Sequence, residues 1–447
     1  MGQRFLTFVK TYNQHFRSYR HDVSDKARQY LCGLMQGGER KNMLHMAESV
    51  PDAKSRNLQQ FLTHSQWSAR AVLDQVAREV NDLVGHSTEA CLDLDESSFA
   101  KQGKKSVGVA RQWLGRLGKV DNGQVAVYGV LCQKERAAMV DTRLYLPKAW
   151  TDDPERCREA GVPEEEIVFR TKEELAVEII LHARKLGLNF GWVGADAGYG
   201  KSPALFYRLG DWGETFYINV PADFSVYLTD PRPQEKPQRG HRTGRRYATA
   251  QKRLAVQTLQ ELKEPTAWQP VTGRNTTRGK LELRAWRRVV YMWDGRSAQA
   301  RRLTLVVTEN LDGTDRKDTV TNAPETTGLE RMVFCQRQRY WIERTFQDGK
   351  GECGMADYQV QKWSGWQHHM ALVMMALLFM LKERLEQRKE YPILSCADIE
   401  KLLARFLPQQ ELDEPEVIRQ VEAMHRPRQK AQRSHARCAK RRAKAAG

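Results

Sequence analysis

The 447-residue sequence predicts a mixed α/β protein with an α-helical N-terminal region and a β-rich insertion inside its α/β core. Helical periodicity dominates up to about residue 85. From residue 86 to residue 200, alternating stretches predict strands that accompany one well-capped helix. Between residues 201 and about 330, a Pro/Gly-rich basic loop and further alternating stretches predict the insertion. At 40% hydrophobic residues, the chain can bury a core and is long enough for two or three domains.

The clearest helix of the N-terminal region is predicted over residues 68–85. Ser68 is a good N-cap residue, and Gly85 is suited to end the helix. One apolar stripe follows the helical spacing at Val72, Val76, Val80 and Leu83. Because short helices alternate with Lys and Arg, residues 1–85 are interpreted either as a DNA-binding region or as a plain helical bundle.

The first part of the core is predicted over residues 86–200. Four stretches are typical of strands and lie at residues 90–98, 123–133, 137–147 and 190–200. Thr171 and Glu174 form a capping box for a helix over residues 171–187. The first strand is expected to end in acids that include Asp95, and the fourth is expected to end at Asp196. Ligands of open α/β sheets collect outside the carboxyl ends of the strands, so these acids are candidate site residues.

The remaining chain is predicted to contain the insertion, the second part of the core and a tail. Strands are expected over residues 278–293 and 300–310, within the insertion of residues 201–330. Residues 231–253 carry eight Lys/Arg against one acid, which favours DNA contact over simple solvation. The core resumes over residues 331–408, with helices expected at 337–354, 366–388 and 397–406. Residues 409–447 form a basic tail of the kind that is usually disordered and electrostatic.

The charge balance limits the classes of function. Lys and Arg outnumber acids 72 to 55, so the formal net charge is +17 and a polyanionic partner is expected, with nucleic acid first and an anionic membrane second. The longest apolar run, residues 370–381, is too short to span a bilayer. The N-terminus lacks the apolar core of a secretory signal. The eight cysteines form no CxxC pair, so we expect reduced thiols in a cytoplasmic protein.

The predicted helix over residues 337–354 places a single acid, Glu343, among cations. Helical spacing puts three further polar residues on its face, namely Arg339, Gln347 and Lys350. The opposite, packing side consists of Ile342, Phe346 and Gly349. In an arbitrary helix this pattern would indicate solvated ion pairs. The acids of the predicted sheet offer a second interpretation.

Asp95, Asp196 and Glu343 supply three hard oxygen ligands near a sheet edge. Mg²⁺ prefers such ligands, and two ions in line activate the attacking oxygen and stabilise the leaving one in phosphodiester cleavage. Taken alone, Asp196 would be interpreted as a turn acid before glycine. Asp93 and Glu96 compete with Asp95 as the first ligand, and strand alternation puts Asp93 on the same face as Asp95.

The order of the three acids resembles that of the DDE transposases, which carry an Asp on the first strand, an Asp after the fourth strand and a Glu on a helix beyond a β insertion. The spacing of Arg339, Glu343 and Lys350 resembles the Tyr-Arg-Glu-Lys signature of one large group of bacterial insertion-sequence transposases. Segments similar to a DDE endonuclease subfamily of that group lie at residues 95–127, 144–165, 192–200 and 343–379. The resemblance covers residues 25 to 390.

Two positions depart from the family pattern. The signature tyrosine would fall seven residues before Glu343, where this chain has Gln336, which puts a phosphate contact from a tyrosine hydroxyl in doubt. Where the subfamily commonly shows Asp-Asp-Thr-Gly or Asp-Glu-Thr-Gly, this chain reads Asp95-Glu96-Ser97-Ser98. An Asp followed at the second position by a hydroxyl residue favours Asp95 as the ligand.

The resemblance implies an RNase H-like catalytic core and a transposase that binds double-stranded DNA at terminal inverted repeats, cleaves it and transfers a strand into target DNA. It implies that Asp95, Asp196 and Glu343 hold two Mg²⁺ ions, for which Mn²⁺ substitutes. Arg339 and Lys350 would position DNA phosphates. We expect a homodimer in the synaptic complex, a location in the bacterial cytoplasm at the nucleoid, and no membrane partner.

Further DNA contacts are predicted at Lys104, Lys105, Arg242, Arg245, Arg246 and Trp293. Trp286 and Trp293 lie seven residues apart, so at most one of them should face DNA and hold an unstacked base, and packing of both is the alternative. Two other functions stay open. One is a nuclease without strand transfer, and the other is a domesticated DNA-binding protein without catalysis, against which the complete set of three acids argues.

Overall fold

A computed structural model describes residues 1–17, 21–36, 38, 40–86, 88–236, 246–256, 268–276, 279–411 and 413–446. Its helices are α1 (Gly2–Lys10), α2 (Ser24–Met35), α3 (Met43–Ser49), α4 (Ser55–Thr63), α5 (Ala69–Val84), α6 (Lys148–Thr151), α7 (Pro154–Glu159), α8 (Lys172–Lys185), α9 (Pro203–Asp211), α10 (Leu329–Gln338), α11 (Tyr340–Glu352), α12 (Trp363–Glu386), α13 (Cys396–Phe406) and α14 (Glu414–Ala446). Its strands are β1 (Cys91–Ala100), β2 (Ala110–Leu114), β3 (Lys119–Gln133), β4 (Arg136–Leu144), β5 (Trp192–Ala195), β6 (Phe216–Asn219), β7 (Ser225–Val226), β8 (Gln234–Glu235), β9 (Tyr247–Ala248), β10 (Leu254–Ala255), β11 (Gln269–Thr276), β12 (Gly279–Met292), β13 (Arg301–Asn310) and β14 (Lys317–Thr321).

Ten of the described strands form one mixed sheet. Its order is β11-β12-β13-β14-β6-β5-β1-β3-β2, and β4 also pairs with β3. The pairs β1–β3 and β3–β4 are antiparallel, whereas β5 is parallel to both of its neighbours, β1 and β6. The predicted mixed α/β class is therefore confirmed, and β1 lies at the centre of the order.

The strands expected over residues 278–293 and 300–310 are present as β12 and β13. They join the central sheet through β14, which pairs with β6. Strand β6 spans only four residues and escaped the sequence analysis, although it lies within the range 201–330 that was assigned to the insertion. The division of the chain into domains stays a proposal.

The N-terminal region is helical, as predicted. Ser68 caps α5 by accepting a hydrogen bond at Oγ from the backbone N–H of Ala71 at 3.1 Å, and Gly85 follows the last helical residue. The N-terminal helices pack against α12, where the ring of Phe5 lies 4.9 Å from that of Phe379 and Arg4 pairs with the buried carboxylate of Glu383 at 2.7 Å. This region therefore shares one hydrophobic core with the sheet.

The helices expected at 366–388 and 397–406 are present as α12 and α13. Helix α12 is buried along most of its length, since its apolar run lies between the N-terminal helices and the sheet. The tail, expected to be disordered, is instead a helix, α14, whose first turn is capped by Asp413 through the backbone N–H of Glu416 at 2.9 Å. Its Ala, Arg, Lys and Gln residues are strong helix formers, which explains the difference. None of the described helices is both long and apolar enough to cross a membrane.

Candidate active site

Asp95 and Asp196 are brought together by the parallel pairing of β1 with β5. The register pairs Leu94 with Ala195, so the next residues along the two strands are these acids. Strand β5 ends directly before Asp196, as expected. The expectation that the first strand ends in acids is wrong, because β1 continues to Ala100 as an antiparallel partner of β3. What ends at the acids is only the pairing of β1 with β5.

Backbone hydrogen bonds orient both carboxylates. Oδ1 of Asp196 accepts from the backbone N–H groups of Gly198 at 2.9 Å and Tyr199 at 3.4 Å, in the turn that follows β5. Oδ1 of Asp95 accepts from the backbone N–H of Glu96 at 2.7 Å. These backbone bonds involve only Oδ1 of each Asp.

The single helix predicted over residues 337–354 is two helices, α10 and α11, which meet at Arg339. The predicted packing face of α11 is confirmed, since Ile342, Phe346 and Gly349 are buried. The guanidinium of Arg339 donates one hydrogen bond to Oδ2 of Asp95 at 3.2 Å and another to Oε1 of Glu343. One cation thus ties the acid of the late helix to the acid of the first strand.

The electrostatics of this cluster favour a cation at its centre. Burial, and then the neighbouring charge of Asp196, raise the pKa of Asp95, while Arg339 opposes the shift. Burial lowers the pKa of Arg339, but the carboxylates of Asp95, Glu343 and Asp196 outweigh that effect and raise it. Asp95 is 13% exposed and Glu343 is 52% exposed, so the cluster is open to solvent on the side of the helix.

Two lysines flank the carboxylates. The Nζ atom of Lys350 lies 5.6 Å from the centre of the Phe99 ring, and burial, followed by the nearby charge of Arg116, lowers the pKa of Lys350 to about 8. Lys317 was not predicted as a site residue, and its pKa is lowered by burial and then by the charge of Arg339. Lys317 begins a short strand without a distinctive motif, so no sequence signal marked it.

The competing acids Asp93 and Glu96 have other surroundings. Asp93 is 1% exposed and accepts from the thiol of Cys91 at 3.6 Å. It lies across from Gly194, where an added Cβ would come within 1.9 Å of Oδ1 of Asp93, so only glycine leaves room for this carboxylate. Glu96 pairs with Lys172 at 2.5 Å. Of these three acids, Asp95 alone has a described contact with Arg339.

A cavity of about 310 Å³ opens beside Asp196 and reaches the first turn of α8. Tyr199 lines it and is 3% exposed, and its hydroxyl has no hydrogen-bond partner among the described residues. Burial and then the charges of Asp95, Glu96 and Asp196 raise the pKa of Tyr199, so its hydroxyl stays protonated beside the acids. Tyr199 was not predicted as a site residue, because a tyrosine in a Gly-rich turn is typical of ordinary packing.

Gln336 occupies the position of the signature tyrosine. Its side-chain amide donates to Oγ1 of Thr319 at 2.7 Å and accepts from the hydroxyl of Thr308 at 2.7 Å. At 4% exposure, it connects α10 to the sheet at β13 and β14. Arg337 adds a hydrogen bond to Thr308 at 2.7 Å. The described contacts of Gln336 are therefore structural.

The predicted DNA-contacting residues are spread over the chain. Lys104 and Lys105 are exposed between β1 and β2, and Arg246 is exposed and pairs with Glu235 at 2.6 Å. Arg242 and Arg245 lie outside the described residues. Trp286 is 4% exposed and Trp293 is 7% exposed, with the indole N–H of Trp293 donating to the backbone oxygen of Ser297 at 2.8 Å. Both rings therefore pack inside the protein, and a base-holding role requires that one becomes uncovered.

This chain is similar to several known proteins, among them the following two. A probable transposase for the insertion sequence element IS701 of Microchaete diplosiphon is 34% identical over 217 residues, which span 48% of this chain and 53% of that protein. The match thus spans about half the length of that relative. A piggyBac transposase synaptic complex with hairpin DNA aligns over 89% of this chain and 75% of its own, at 11% identity and a TM-score of 0.37, too low to carry an argument.

The family model described as DDE superfamily endonuclease matches residues 11–280. This range is more than half of the chain and contains Asp95 and Asp196, whereas Glu343 lies beyond it. The resemblance inferred from the sequence is thereby confirmed, and the chain belongs to the DDE superfamily of endonucleases.

Proposed function

We propose that this protein is a DNA transposase that binds the terminal inverted repeats of an insertion sequence, cleaves the DNA and joins the freed 3′-hydroxyl to target DNA. The observation that carries the proposal is the convergence of Asp95 and Glu343 on Arg339, with Asp196 beside Asp95 in the sheet. Family membership and the similarity to a probable insertion-sequence transposase support DNA as the substrate class.

The strand order supports an RNase H-like catalytic core. Strands β4, β3, β1, β5 and β6 are adjacent in that order, with the first three antiparallel and the last two parallel to β1. This arrangement puts the first two acids on neighbouring central strands. We further propose that β11 to β14 act as the β-rich insertion between the second and third acids.

The donor chemistry fits two Mg²⁺ ions, for which Mn²⁺ would substitute, held by Asp95, Asp196 and Glu343. When bound, such ions activate the attacking oxygen and stabilise the leaving oxygen of a phosphodiester. Because burial raises the pKa of Asp95, its proton must leave before its carboxylate can take a cation. Arg339 favours that loss of the proton, and together with Lys350 it is placed to hold phosphate oxygens.

The net charge of +17 supports a DNA partner, since Lys and Arg side chains displace counterions from the phosphate backbone. We propose that the helical N-terminal region, the exposed Lys104 and Lys105, the basic loop around Arg246 and helix α14 hold double-stranded DNA. Bringing two DNA ends together requires two catalytic centres, so the synaptic complex would contain a homodimer at the bacterial nucleoid.

The proposal is tested by incubating the protein with the DNA that flanks its gene, with and without Mg²⁺, and mapping the cut ends. We expect Mg²⁺-dependent cuts at fixed positions at the ends of the element, and products joined to a supercoiled target. Cuts without any joined product would support a nuclease without strand transfer. Specific binding without cuts in either Mg²⁺ or Mn²⁺ would support a DNA-binding protein that lacks catalysis.

A further inference from the structure

A second site lies in the N-terminal helical region. A cavity of about 870 Å³ is bordered by residues 15–17 and 21–26, helix α4 and the segment 64–67. Arg17, Lys26 and three histidines line it, and no Asp or Glu is among the described residues that do so. The cavity therefore presents donors and positive charge, in contrast to the acids at the sheet.

The two cations that line this N-terminal cavity form only weak ion pairs with acids of the protein. The guanidinium of Arg17 pairs with Asp22 at 2.8 Å, and the ammonium of Lys26 lies 3.7 Å from Asp25. Neither acid lines the cavity, and the side chains of Arg17 and Asp22 are both more than half exposed. Ion pairs that water can reach are weak, so a phosphate can compete for these two cations.

The inner wall of the N-terminal cavity holds an unused hydrogen-bond donor. Trp67 lines the cavity and is 7% exposed, and its indole N–H has no hydrogen-bond partner among the described residues. Its ring stacks on that of His368 at 3.9 Å and on that of Phe61 at 5.6 Å, which fixes its position. A buried N–H without an acceptor is unfavourable, so an acceptor on a ligand would be favoured here.

We propose that the N-terminal cavity binds a few nucleotides of an unpaired DNA strand, an inference that rests on the proposed action of the protein on DNA. Its volume lies in the range of small-ligand sites, about 300–1,000 Å³, which suits a few nucleotides and not a duplex. Phosphates would pair with Arg17 and Lys26, which line the cavity together with the three histidines. The indole N–H of Trp67 would donate to a phosphate or base oxygen.

The test measures binding of fluorescein-labelled dT8 to the full chain by anisotropy, in EDTA so that no divalent cation contributes. Replacing both cations, Arg17→Gln with Lys26→Gln, should raise the Kd about tenfold. The control pair Arg158→Gln with Lys185→Gln removes the same charge at exposed positions outside the cavity and should raise the Kd less than twofold. Trp67→Phe, which keeps an aromatic ring but removes the N–H, should raise the Kd about threefold.

Equal weakening by the two double variants would overturn the proposal, because it would show general electrostatic attraction only. Competition by free dTMP at the same concentration of phosphate as the oligonucleotide would identify a free nucleotide as the ligand and would also overturn it. Thermal unfolding of each variant checks folding, and the Arg17→Gln/Lys26→Gln pair keeps the test decisive if Trp67→Phe unfolds. DNA cleavage, measured separately, can fail while dT8 binding at the cavity holds.

Discussion

The acidic cluster at the sheet and the N-terminal cavity hold charge in opposite ways. At the sheet, three carboxylates surround one arginine, and the two aspartates are held by strand register and by backbone N–H groups. In the N-terminal cavity, Arg17 and Lys26 stand with histidines on loops and helix surfaces, with no described acid among the lining residues.

Under the proposed functions, this difference separates the residues that would carry out the chemistry from the residues that would bind DNA. The proposed metal-assisted chemistry would need ligands fixed in place, and the three acids do come from distant parts of the sequence that the central sheet and α11 bring together. The proposed binding of a flexible strand would need only donors and cations within reach, and the described lining of the cavity comes from one local part of the chain, between residues 15 and 67. Substitutions in the two regions should therefore affect different measurements.

The largest difference between an effect on cleavage and an effect on DNA binding is expected at Glu343. Glu343→Gln keeps the size and helix propensity of the side chain but removes the charge of one proposed metal ligand. We expect DNA cleavage to fall by at least ~10³-fold, as when a phosphoryl-transfer site loses an essential electrostatic interaction, while binding to DNA ends persists. The control is Glu330→Gln, an equal charge change at an exposed position of α10. Cleavage by Glu343→Gln near the unsubstituted rate would contradict its assignment.

Arg339→Gln tests whether the cation at the centre of the acids matters. We expect cleavage to fall by roughly 10²-fold at neutral pH, because Asp95 and Glu343 lose their shared hydrogen-bond donor. Arg339 favours the charged form of Asp95, so its loss raises the pKa of Asp95 further and should move the rise of the cleavage rate to higher pH.

The control for Arg339→Gln is Arg344→Gln. Arg344 lies on the same helix and pairs with Asp348 at 2.8 Å, at positions i and i+4. Its loss should leave the pH profile of cleavage unchanged. If the two variants show the same pH profile of cleavage, Arg339 does not act through Asp95.

The fold class could be predicted from the sequence because its signals are local. The capping box of Thr171 and Glu174 and the apolar stripe of α5 depend on neighbouring residues, and both are present in the structure. Strand β6, with only four residues, gave no periodicity to detect. The break at Arg339 could not be predicted, because no Gly or Pro lies near it to indicate the end of a helix.

The acids of the candidate site could be proposed from their order, but their surroundings could not. Alternation puts Asp93 and Asp95 on one face of β1, and only the tertiary structure shows that Asp93 lies over Gly194 while Asp95 contacts Arg339. The N-terminal cavity left no sequence signal, since its histidines and cations fall at irregular spacings on a helix and two loops.

Removal of residues 425–447 tests whether the basic end of the chain binds DNA without recognising its base sequence. This part of α14 carries nine Lys/Arg and no acid, so its loss should weaken binding to every duplex by about tenfold and make the log–log dependence on salt shallower. Affinity is measured at several salt concentrations with terminal-repeat and unrelated duplexes. If only the preference for terminal repeats disappears, the tail reads bases and the electrostatic account of it is wrong.

The smallest effect concerns helix α12, which joins the two regions. His368 stacks on Trp67 of the cavity, and the next residue, His369, is fully buried and hydrogen-bonded through Nδ1 to the hydroxyl of Tyr30 at 2.8 Å. Burial, and then the charge of Lys101, lower the pKa of His369 to about 3. Protonation therefore favours the unfolded chain, where the pKa is about 6.5.

The contribution of His369 to the free energy of unfolding is therefore fully present above pH 6.5 and is lost as the pH falls from 6.5 toward 3. Between pH 7.5 and 5.5, His369 should remove about 1.4 kcal/mol of unfolding free energy. His369→Gln, although less stable overall, should lose about that much less over the same interval, as measured by urea unfolding. The control His435→Gln, at an exposed position of α14, should follow the unsubstituted protein. If His369→Gln loses as much unfolding free energy over this interval as the unsubstituted protein, protonation of His369 is not what destabilises the fold in acid.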